Sequence, residues 1–179
     1  MAAEPTFDPR RIIEILDRHH VEYVLVGGFA AQAHGARRQT LDIDVVALTT
    51  DENLERLSAA LRDLGARLRV GGMTDDEGRR LPVTVDVTTL RNFLNSTWTT
   101  DAGQLDVLAD IPSSTGPRTY DDLLGRSVPR QLHGILTRLA GLDDIVASKE
   151  HVARPKDREA PRRHLSVKGD GGASVRAGP

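Results

Sequence analysis

The stretch Tyr23-Val-Leu-Val-Gly-Gly28, followed by Leu41-Asp-Ile-Asp-Val-Val-Ala-Leu48, decides the fold of this 179-residue chain. Each segment is a short apolar run typical of a β-strand, and the first ends at two glycines. On a strand, residues i and i+2 point to the same face, so Asp42 and Asp44 are predicted to stand side by side. Two carboxylates on one face of an apolar strand are costly unless a cation or hydrogen bonds compensate them. The pair therefore predicts a divalent-metal site.

Both parts of this stretch also have a plainer interpretation. Asp42 could cap a turn while Asp44 pairs with Arg37 or Arg38. The two glycines could present backbone N–H groups to phosphate at a helix N-terminus. Strand-to-helix turns, however, also use glycine for steric reasons alone. The residues by themselves leave these alternatives open.

Hydrophobic periodicity on both sides of this stretch predicts alternating helices and strands. Helices are expected over Asp8–His20 and 29–34, from a capping-box pattern at Thr49–Glu52 to Gly65, and over 90–94, 120–124 and 142–151. Strands are expected over 66–70, 83–87, 97–100 and 104–108 and in a hairpin over 128–139, while 71–80 is expected to be a mobile loop. This order predicts an α/β (α+β) fold in which helices flank a mixed β-sheet.

Composition excludes several classes of protein. The net charge of −2 gives no basic field typical of nucleic-acid binding, although residues 154–179 carry +4 and the remainder −6. Such a basic tail could touch RNA or an acidic partner, or could simply be solvated. The absence of cysteine excludes disulfides and a cysteine-based zinc site. Without a secretory leader or an apolar run of about 18 residues, we expect a cytoplasmic protein that does not span a membrane.

A third carboxylate is expected from a second apolar strand. Asp106 lies within Leu105-Asp-Val-Leu108, and Asp86 competes with it because Val85-Asp-Val87 also reads as a strand. We favour Asp106, because the preceding glycine is better placed to open a site. Three carboxylates on neighbouring strands can hold two Mg²⁺ ions, which clamp the attacking and leaving oxygens in phosphoryl displacement.

The sequence resembles the polymerase-beta-like nucleotidyltransferase superfamily. Gly27-Gly28, thirteen intervening residues and then Asp42-Ile-Asp44 match its signature. The intervening Arg37-Arg-Gln-Thr-Leu is similar to the form found in the branch of AbiEii-type and MenT-type toxins of bacterial toxin–antitoxin systems. Leu142-Asp-Asp-Ile-Val-Ala-Ser-Lys149 and Arg154-Pro-Lys-Asp157 are similar to later motifs of the same branch. The resemblance covers roughly residues 10 to 160.

This resemblance implies a nucleotidyltransferase core and a role for each matching residue. Asp42, Asp44 and Asp106 would be the metal ligands and catalytic acids, and Asp106 could also deprotonate the attacking hydroxyl. Lys149 would neutralise phosphate charge and complete the catalytic set. The implied nucleotide-binding residues are Gly27, Gly28, Arg38, Thr40, Lys149, Lys156 and Asp157. From spacing alone, Lys149 could equally be a solvated lysine, and Lys156 with Asp157 a helix cap and a surface ion pair.

The implied reaction moves a nucleoside monophosphate from a nucleoside triphosphate to an acceptor hydroxyl, with Mg²⁺ as cofactor and Mn²⁺ as the alternative ion. The implied partners are the triphosphate, the 3′ end of a tRNA and a cognate antitoxin. A small molecule or a protein side chain is the rival acceptor. An inactive member that only binds a partner is the rival of another class, because Glu159-Ala-Pro-Arg-Arg-His164 interrupts the helix that usually follows in the branch.

Three parts of the chain are expected. Residues 1–20 would form a helix packed on the core, residues 21–164 the nucleotidyltransferase domain, and residues 165–179 a disordered tail, because that segment is Gly-rich and has few apolar residues.

Overall fold

Helices and strands alternate along residues 6–153, which are the residues that this computed structural model describes. The helices are α1 Pro9–Arg18, α2 Gly27–Ala33, α3 Asp51–Asp63, α4 Asp75–Arg79, α5 Val87–Asn92, α6 Tyr120–Leu124 and α7 Leu142–Ala153. The strands are β1 Tyr23–Val26, β2 Asp42–Ala47, β3 Arg67–Arg69, β4 Ser96–Thr100, β5 Gly103–Leu108, β6 Asp110–Ile111, β7 Arg118–Thr119, β8 Val128–Leu132 and β9 Ile135–Leu139.

Seven of the strands form one mixed sheet in the order β3-β4-β5-β2-β1-β9-β8, and β6 pairs with β7 in a separate two-stranded sheet. The pairs β2–β5 and β1–β9 are parallel, whereas β1–β2, β4–β5, β3–β4 and β8–β9 are antiparallel. The predicted α+β class with a mixed sheet between helices is therefore confirmed. Strand β2, which carries the acidic pair, lies at the centre of the sheet.

The two faces of the sheet differ strongly in the half made of β3, β4 and β5. On one face, Leu68, Trp98 and Leu105 are buried in the same apolar cluster as Ile12 of α1 and Leu57 of α3. On the opposite face the side chains are polar and at least partly exposed; they are Arg67, Arg69, Thr97, Thr99, Gln104 and Asp106. In the other half of the sheet, α2 and α6 pack against the central strands. The polar side chains of β3, β4 and β5 thus share one partly exposed face of the sheet, and Asp106 of the site lies on that face.

Three sequence predictions are wrong, each because a polar side chain starts a helix there. Residues 83–87 are not a strand, because the Asp86 carboxylate accepts a hydrogen bond from the Thr89 backbone N–H at 2.8 Å and begins α5. The predicted loop 71–80 contains α4, which Thr74 begins with a capping box. Helix α3 begins one residue later than the pattern at Thr49 predicted, because Thr50 is its N-cap.

The other predicted elements lie within one or a few residues of their expected bounds. The β8–β9 hairpin turns at His133 and Gly134, which both have positive φ as a two-residue hairpin turn requires. Within residues 6–153, no helix is both long enough and apolar enough to cross a membrane.

Candidate active site

Asp42, Asp44 and Asp106 converge because β2 and β5 pair in parallel. The register places Asp44 directly opposite Asp106 and Asp42 opposite Gln104. One carboxylate oxygen from each of the three aspartates lies within 4.8 Å of the other two. All three side chains are partly exposed, whereas their strand neighbours Ile43 and Leu105 are fully buried. The alternation expected from sequence therefore places the acids on one face and fixes them there by core packing.

Burial and neighbouring negative charge disfavour the ionisation of Asp44 and Asp106. The pKa of Asp44 is raised from 3.8 to about 7, first by burial and then by the negative charges of Asp42 and Asp106, while the Gly28 backbone N–H and Lys149 act in the opposite direction. Burial also raises the pKa of Asp106, and Asp42 adds to this. This concentration of negative charge is what a bound cation would relieve.

The residues present fit a hard divalent cation. The converging donors are carboxylate oxygens, the ligands that Mg²⁺ and Mn²⁺ take in proteins. Among the described residues, Lys149 is the cation that acts on Asp44, and it only partly offsets the repulsion from the neighbouring carboxylates. A metal could therefore be held by Asp42, Asp44 and Asp106. It would supply charge neutralisation and orient the reacting oxygens there.

The two glycines allow α2 to approach the acidic pair closely. Gly27 has a φ of +66°, and a Cβ atom there would lie 2.0 Å from Oδ2 of Asp44. A Cβ on Gly28 would lie 2.8 Å from Oγ1 of Thr40. The Gly28 backbone N–H donates a hydrogen bond to Asp44, which lowers that carboxyl's pKa. The glycines therefore have the steric role that the sequence left open. In addition, the Gly28 N–H at the start of α2 hydrogen-bonds to one member of the acidic pair.

A pocket of about 230 Å³ adjoins the acidic pair. It is lined by six predicted site residues, from α2, β2, α7 and the loop before β2, and by three others; these are Gly28, Arg38, Thr40, Asp42, Asp44 and Lys149, with Ala31, Ala36 and Gln39. The Thr40 hydroxyl donates a hydrogen bond to the Asp42 carboxylate, and this bond orients the carboxylate. The structure thus brings together in one cavity residues that are up to 121 positions apart in sequence.

Helix α7 is held so that Lys149 faces this pocket. The Arg126 guanidinium binds the Asp144 carboxylate through two hydrogen bonds, of 3.1 and 2.5 Å, at the start of α7. A ring nitrogen of His34, at the end of α2, lies 2.9 Å from the carbonyl oxygen of Ala140. These contacts connect α2 to the segment before α7. The positive charge of Lys149 therefore lies close enough to lower the pKa of Asp44.

The predicted site residues do not all line the pocket, and two of them lie outside the described residues. Asp86, the rival for the third acidic position, caps α5. Gly27 packs against Asp44, while Gly28 lines the pocket. Lys156 and Asp157, together with the basic tail and the interrupted segment 159–164, lie outside the described residues.

The sequence did not predict a group of polar side chains that surrounds Asp106. Gln104 donates a hydrogen bond to Asp106 at 3.4 Å and accepts one from Arg69 at 2.6 Å, and the Thr97 side chain also hydrogen-bonds to Asp106. Gln104 could have been found at position i−2 of Asp106 on a predicted strand. Thr97 and Arg69 come close to Asp106 only because of the register in which β3, β4 and β5 pair, and the sequence offered no signal for that register.

The known proteins to which the chain is similar are solved structures. No protein-family model and no curated protein sequence matches the chain. The crystal structure of a Thermotoga maritima protein provisionally described as a nucleotidyltransferase is similar to it, with a TM-score of 0.54, 13% identity and coverage of 89% of this chain and 94% of that one. The solution structure of the antibiotic-resistance factor ANT(2'')-Ia is similar with a TM-score of 0.50, 16% identity and coverage of 85% and 71%.

The chain has the nucleotidyltransferase fold. A crystal structure of ANT(2'')-Ia in complex with adenylyl-2''-tobramycin matches less well, with a TM-score of 0.48 at 16% identity over 83% of this chain and 80% of that one. At such identities a likeness establishes the arrangement of strands and helices. The activity depends on the side chains that this fold carries, because one fold can host many functions.

Proposed function

We propose that the protein is a metal-dependent nucleotidyltransferase that moves a nucleoside monophosphate from a nucleoside triphosphate to an acceptor hydroxyl. The observation that carries this proposal is the convergence of Asp42, Asp44 and Asp106, whose carboxylate oxygens lie within 4.8 Å of one another beside a pocket with a lysine at its wall. The nucleotidyltransferase fold supports it. Mg²⁺ is the proposed ion and Mn²⁺ its substitute.

The chain's own residues suggest how the reaction proceeds. The triphosphate enters the pocket between α2 and α7, where Arg38 and Lys149 offset its charge and the first turn of α2 offers backbone N–H groups. The acceptor oxygen attacks the α-phosphorus, the bond from that phosphorus to the bridging oxygen breaks, and pyrophosphate leaves. The acceptor's proton passes to a carboxylate oxygen of Asp106. A carboxyl whose pKa is raised by burial accepts a proton more readily than an exposed one.

The proposed acceptor is the 3′ end of a tRNA, and the proposed context is the toxin of a cytoplasmic toxin–antitoxin pair with an antitoxin as partner. The motif around Arg37–Leu41, which resembles the AbiEii and MenT branch, supports this choice. Lys156 and Asp157 are proposed to complete the nucleotide side, and residues 21–164 to form the catalytic domain.

A small-molecule acceptor is the second candidate, because one of the similar structures is an antibiotic-resistance factor. The two candidates share the same triphosphate site and the same acids. They differ only in what occupies the acceptor side of Asp106.

The decisive experiment supplies four labelled nucleoside triphosphates with Mg²⁺ or Mn²⁺ to the purified protein. Total tRNA, an aminoglycoside panel and cell protein are offered as separate acceptors. We expect label on tRNA with wild-type protein and none with Asp42→Ala. Asp63→Asn is the matched control, because Asp63 is an exposed carboxylate on α3 that pairs with His19. Full transfer by Asp42→Ala would overturn the mechanism, and label on the aminoglycoside alone would favour the second candidate.

A further inference from the structure

The pocket occupies only one side of the three aspartates. Asp42 and Asp44 line it, whereas Asp106 lies one strand farther across the sheet, on the side of β4 and β3. A triphosphate in the pocket would therefore leave the Asp106 side of the site accessible from the open face of the sheet.

A polar row continues from Asp106 to the edge of the sheet. The strand registers align Asp44 with Asp106, Asp106 with Thr97, and Thr97 with Arg69. Because directly paired residues share a face, these side chains stand in one line across four strands. Thr99 and Gln104 form a second paired row beside it.

Arg69 brings positive charge to this row. Its side chain is exposed, and its Nη1 donates a hydrogen bond to Oε1 of Gln104 at 2.6 Å, which in turn contacts Asp106. Neighbouring strands lie about 4.8 Å apart, so Arg69 and Asp106 stand on strands roughly 10 Å apart. Gln104 spans this gap, so the guanidinium lies close enough to act on the charge of Asp106. One phosphodiester on the open face could contact Arg69 while the adjacent hydroxyl reaches Asp106.

The shape and charge of this face discriminate among acceptors. Small-molecule sites are concave and bury most of their ligand, whereas this face is an open sheet surface with half-exposed threonine and glutamine side chains. A polyanion approaching three carboxylates needs a compensating cation nearby, and the exposed guanidinium of Arg69 supplies one. A nucleic-acid end meets both conditions.

We infer that this row binds the acceptor, and that Arg69 holds the phosphodiester next to the attacking 3′ hydroxyl of an RNA. The inference rests on the proposed transferase function and assigns its acceptor subsite. Thr97 and Gln104 keep Asp106 oriented toward that hydroxyl. Arg69 is thus a determinant of acceptor class and takes no part in triphosphate binding.

The test compares wild type, Arg69→Gln, Arg69→Lys and the control Arg10→Ala. Arg10 is an exposed arginine on α1 that pairs with Glu14. Each protein receives two RNA acceptors of the same sequence, one natural and one whose last phosphodiester is a neutral methylphosphonate. Thermal melts and triphosphate titrations of each variant establish that it is folded and binds nucleotide.

For Arg69→Gln we expect the KM for natural RNA to rise about tenfold, with kcat and the KM for triphosphate unchanged. The methylphosphonate should raise the wild-type KM by a similar factor and have little further effect on Arg69→Gln. The slope of log KM against log salt should fall by about one in Arg69→Gln. Arg69→Lys should recover part of the loss, and Arg10→Ala should match wild type.

Other outcomes overturn the inference in distinguishable ways. An equal methylphosphonate effect in wild type and Arg69→Gln would show that Arg69 does not touch that phosphate. A raised KM for triphosphate would place Arg69 on the nucleotide side. Transfer to a protein or a small molecule but not to RNA would refute this subsite and leave the transferase function intact. Failure of the wild type to bind triphosphate with Mg²⁺ would refute both.

Discussion

The two sides of the aspartate group are built by different means. On the pocket side, the backbone of α2 approaches Asp44 so closely that a Cβ on Gly27 would lie 2.0 Å from a carboxylate oxygen. On the open side, Asp106 is surrounded by side chains, with Gln104 at 3.4 Å and Arg69 beyond it. The close approach of α2 to Asp44 therefore requires a residue without a side chain at position 27. The surroundings of Asp106 are instead determined by the polar side chains that are present there.

This difference has a consequence for substitution. A backbone contact has no rotamer with which to relieve a clash, so the contact of Gly27 with Asp44 should tolerate almost no change. The open side can exchange one polar side chain for another without disturbing the core. Binding of the triphosphate would then reside on the pocket side, and binding of the acceptor on the open side around Asp106.

Asp44→Asn should have the largest effect, because Asp44 contributes to both sides. The substitution keeps the size of the side chain and removes a charge from the group that is proposed to hold the metal. We expect nucleotide transfer to fall by roughly a thousandfold or more, on the scale of losing a principal electrostatic element of a site. Initial rates under saturating Mg²⁺ measure it.

The same variant should be at least as stable as wild type in metal-free buffer near neutral pH, because a repelled and largely buried carboxylate is gone. Urea unfolding checks this. A variant that loses activity together with several kcal/mol of stability would mean that Asp44 has a structural role instead.

Gly27→Ala should have the next largest effect and tests the pocket side directly. Alanine is strained at a φ of +66°, and its Cβ would displace the Asp44 carboxylate. We expect a loss of about 1–3 kcal/mol of stability and roughly a hundredfold in transfer rate. Gly134→Ala is the control, since Gly134 also has positive φ but a Cβ there would meet nothing within 4 Å. It should lose stability and keep its activity; equal activity losses in both variants would refute the steric explanation.

The sequence predicted the pocket side better than the open side, because the pocket side depends on local patterns and the open side on strand register. The pocket side was largely visible, because Gly27-Gly28, the Asp42/Asp44 alternation and the apolar strands are local patterns with fixed geometry. The position of Lys149 at the pocket came from a resemblance to a family, and spacing alone did not supply it. Its placement depends on the contacts that hold α7, such as Arg126 with Asp144.

The open side was largely hidden. Arg69 meets Gln104 only because β3, β4 and β5 pair in one particular register, and three-residue β3 carries too short a pattern to reveal it. Asp86 shows the opposite error. Its alternating neighbours Val85 and Val87 predicted a strand, but an aspartate just before a short helix is a strong N-cap, and capping prevailed over alternation.

The metal-free protein should show an unusual dependence of stability on pH. With the pKa of Asp44 raised to about 7, the folded protein holds a proton between pH 3.8 and about 7 that the unfolded chain has released. This group's contribution therefore falls as pH rises through that window and levels off above it. The amplitude should be on the order of 2 kcal/mol, allowing for partial exposure.

Asp42, Asp106 and Lys149 are the charged groups that face Asp44, so the comparison must remove Asp44 alone. We expect the difference in unfolding free energy between wild type and Asp44→Asn to shrink toward pH 4 in EDTA, and Mg²⁺ to reverse the wild-type loss at pH 8. A pH-independent difference between the two proteins would contradict the shifted pKa.

Lys149→Ala should have a smaller effect, because the lysine is exposed and acts on the pocket side only through its charge. We expect about a tenfold rise in the KM for triphosphate and an unchanged KM for the acceptor. Lys149→Arg should retain most of the affinity. An effect on the acceptor alone would mean that the two sides of the site are not separate.

Asp86→Ala should have the smallest effect and tests whether the third acid belongs to the open side at Asp106. The Asp86 carboxylate accepts one backbone hydrogen bond, from Thr89, so its loss should cost about 1 kcal/mol of stability. Transfer activity should be unchanged, whereas Asp106→Asn should lower it strongly, because among residues 6–153 Asp106 is the acid that faces Asp42 and Asp44. Asp86→Asn, which can still cap α5, should restore most of the stability. If Asp86→Asn instead lost activity at full stability, Asp86 would be acting in the chemistry, and the open side would have to extend to the start of α5.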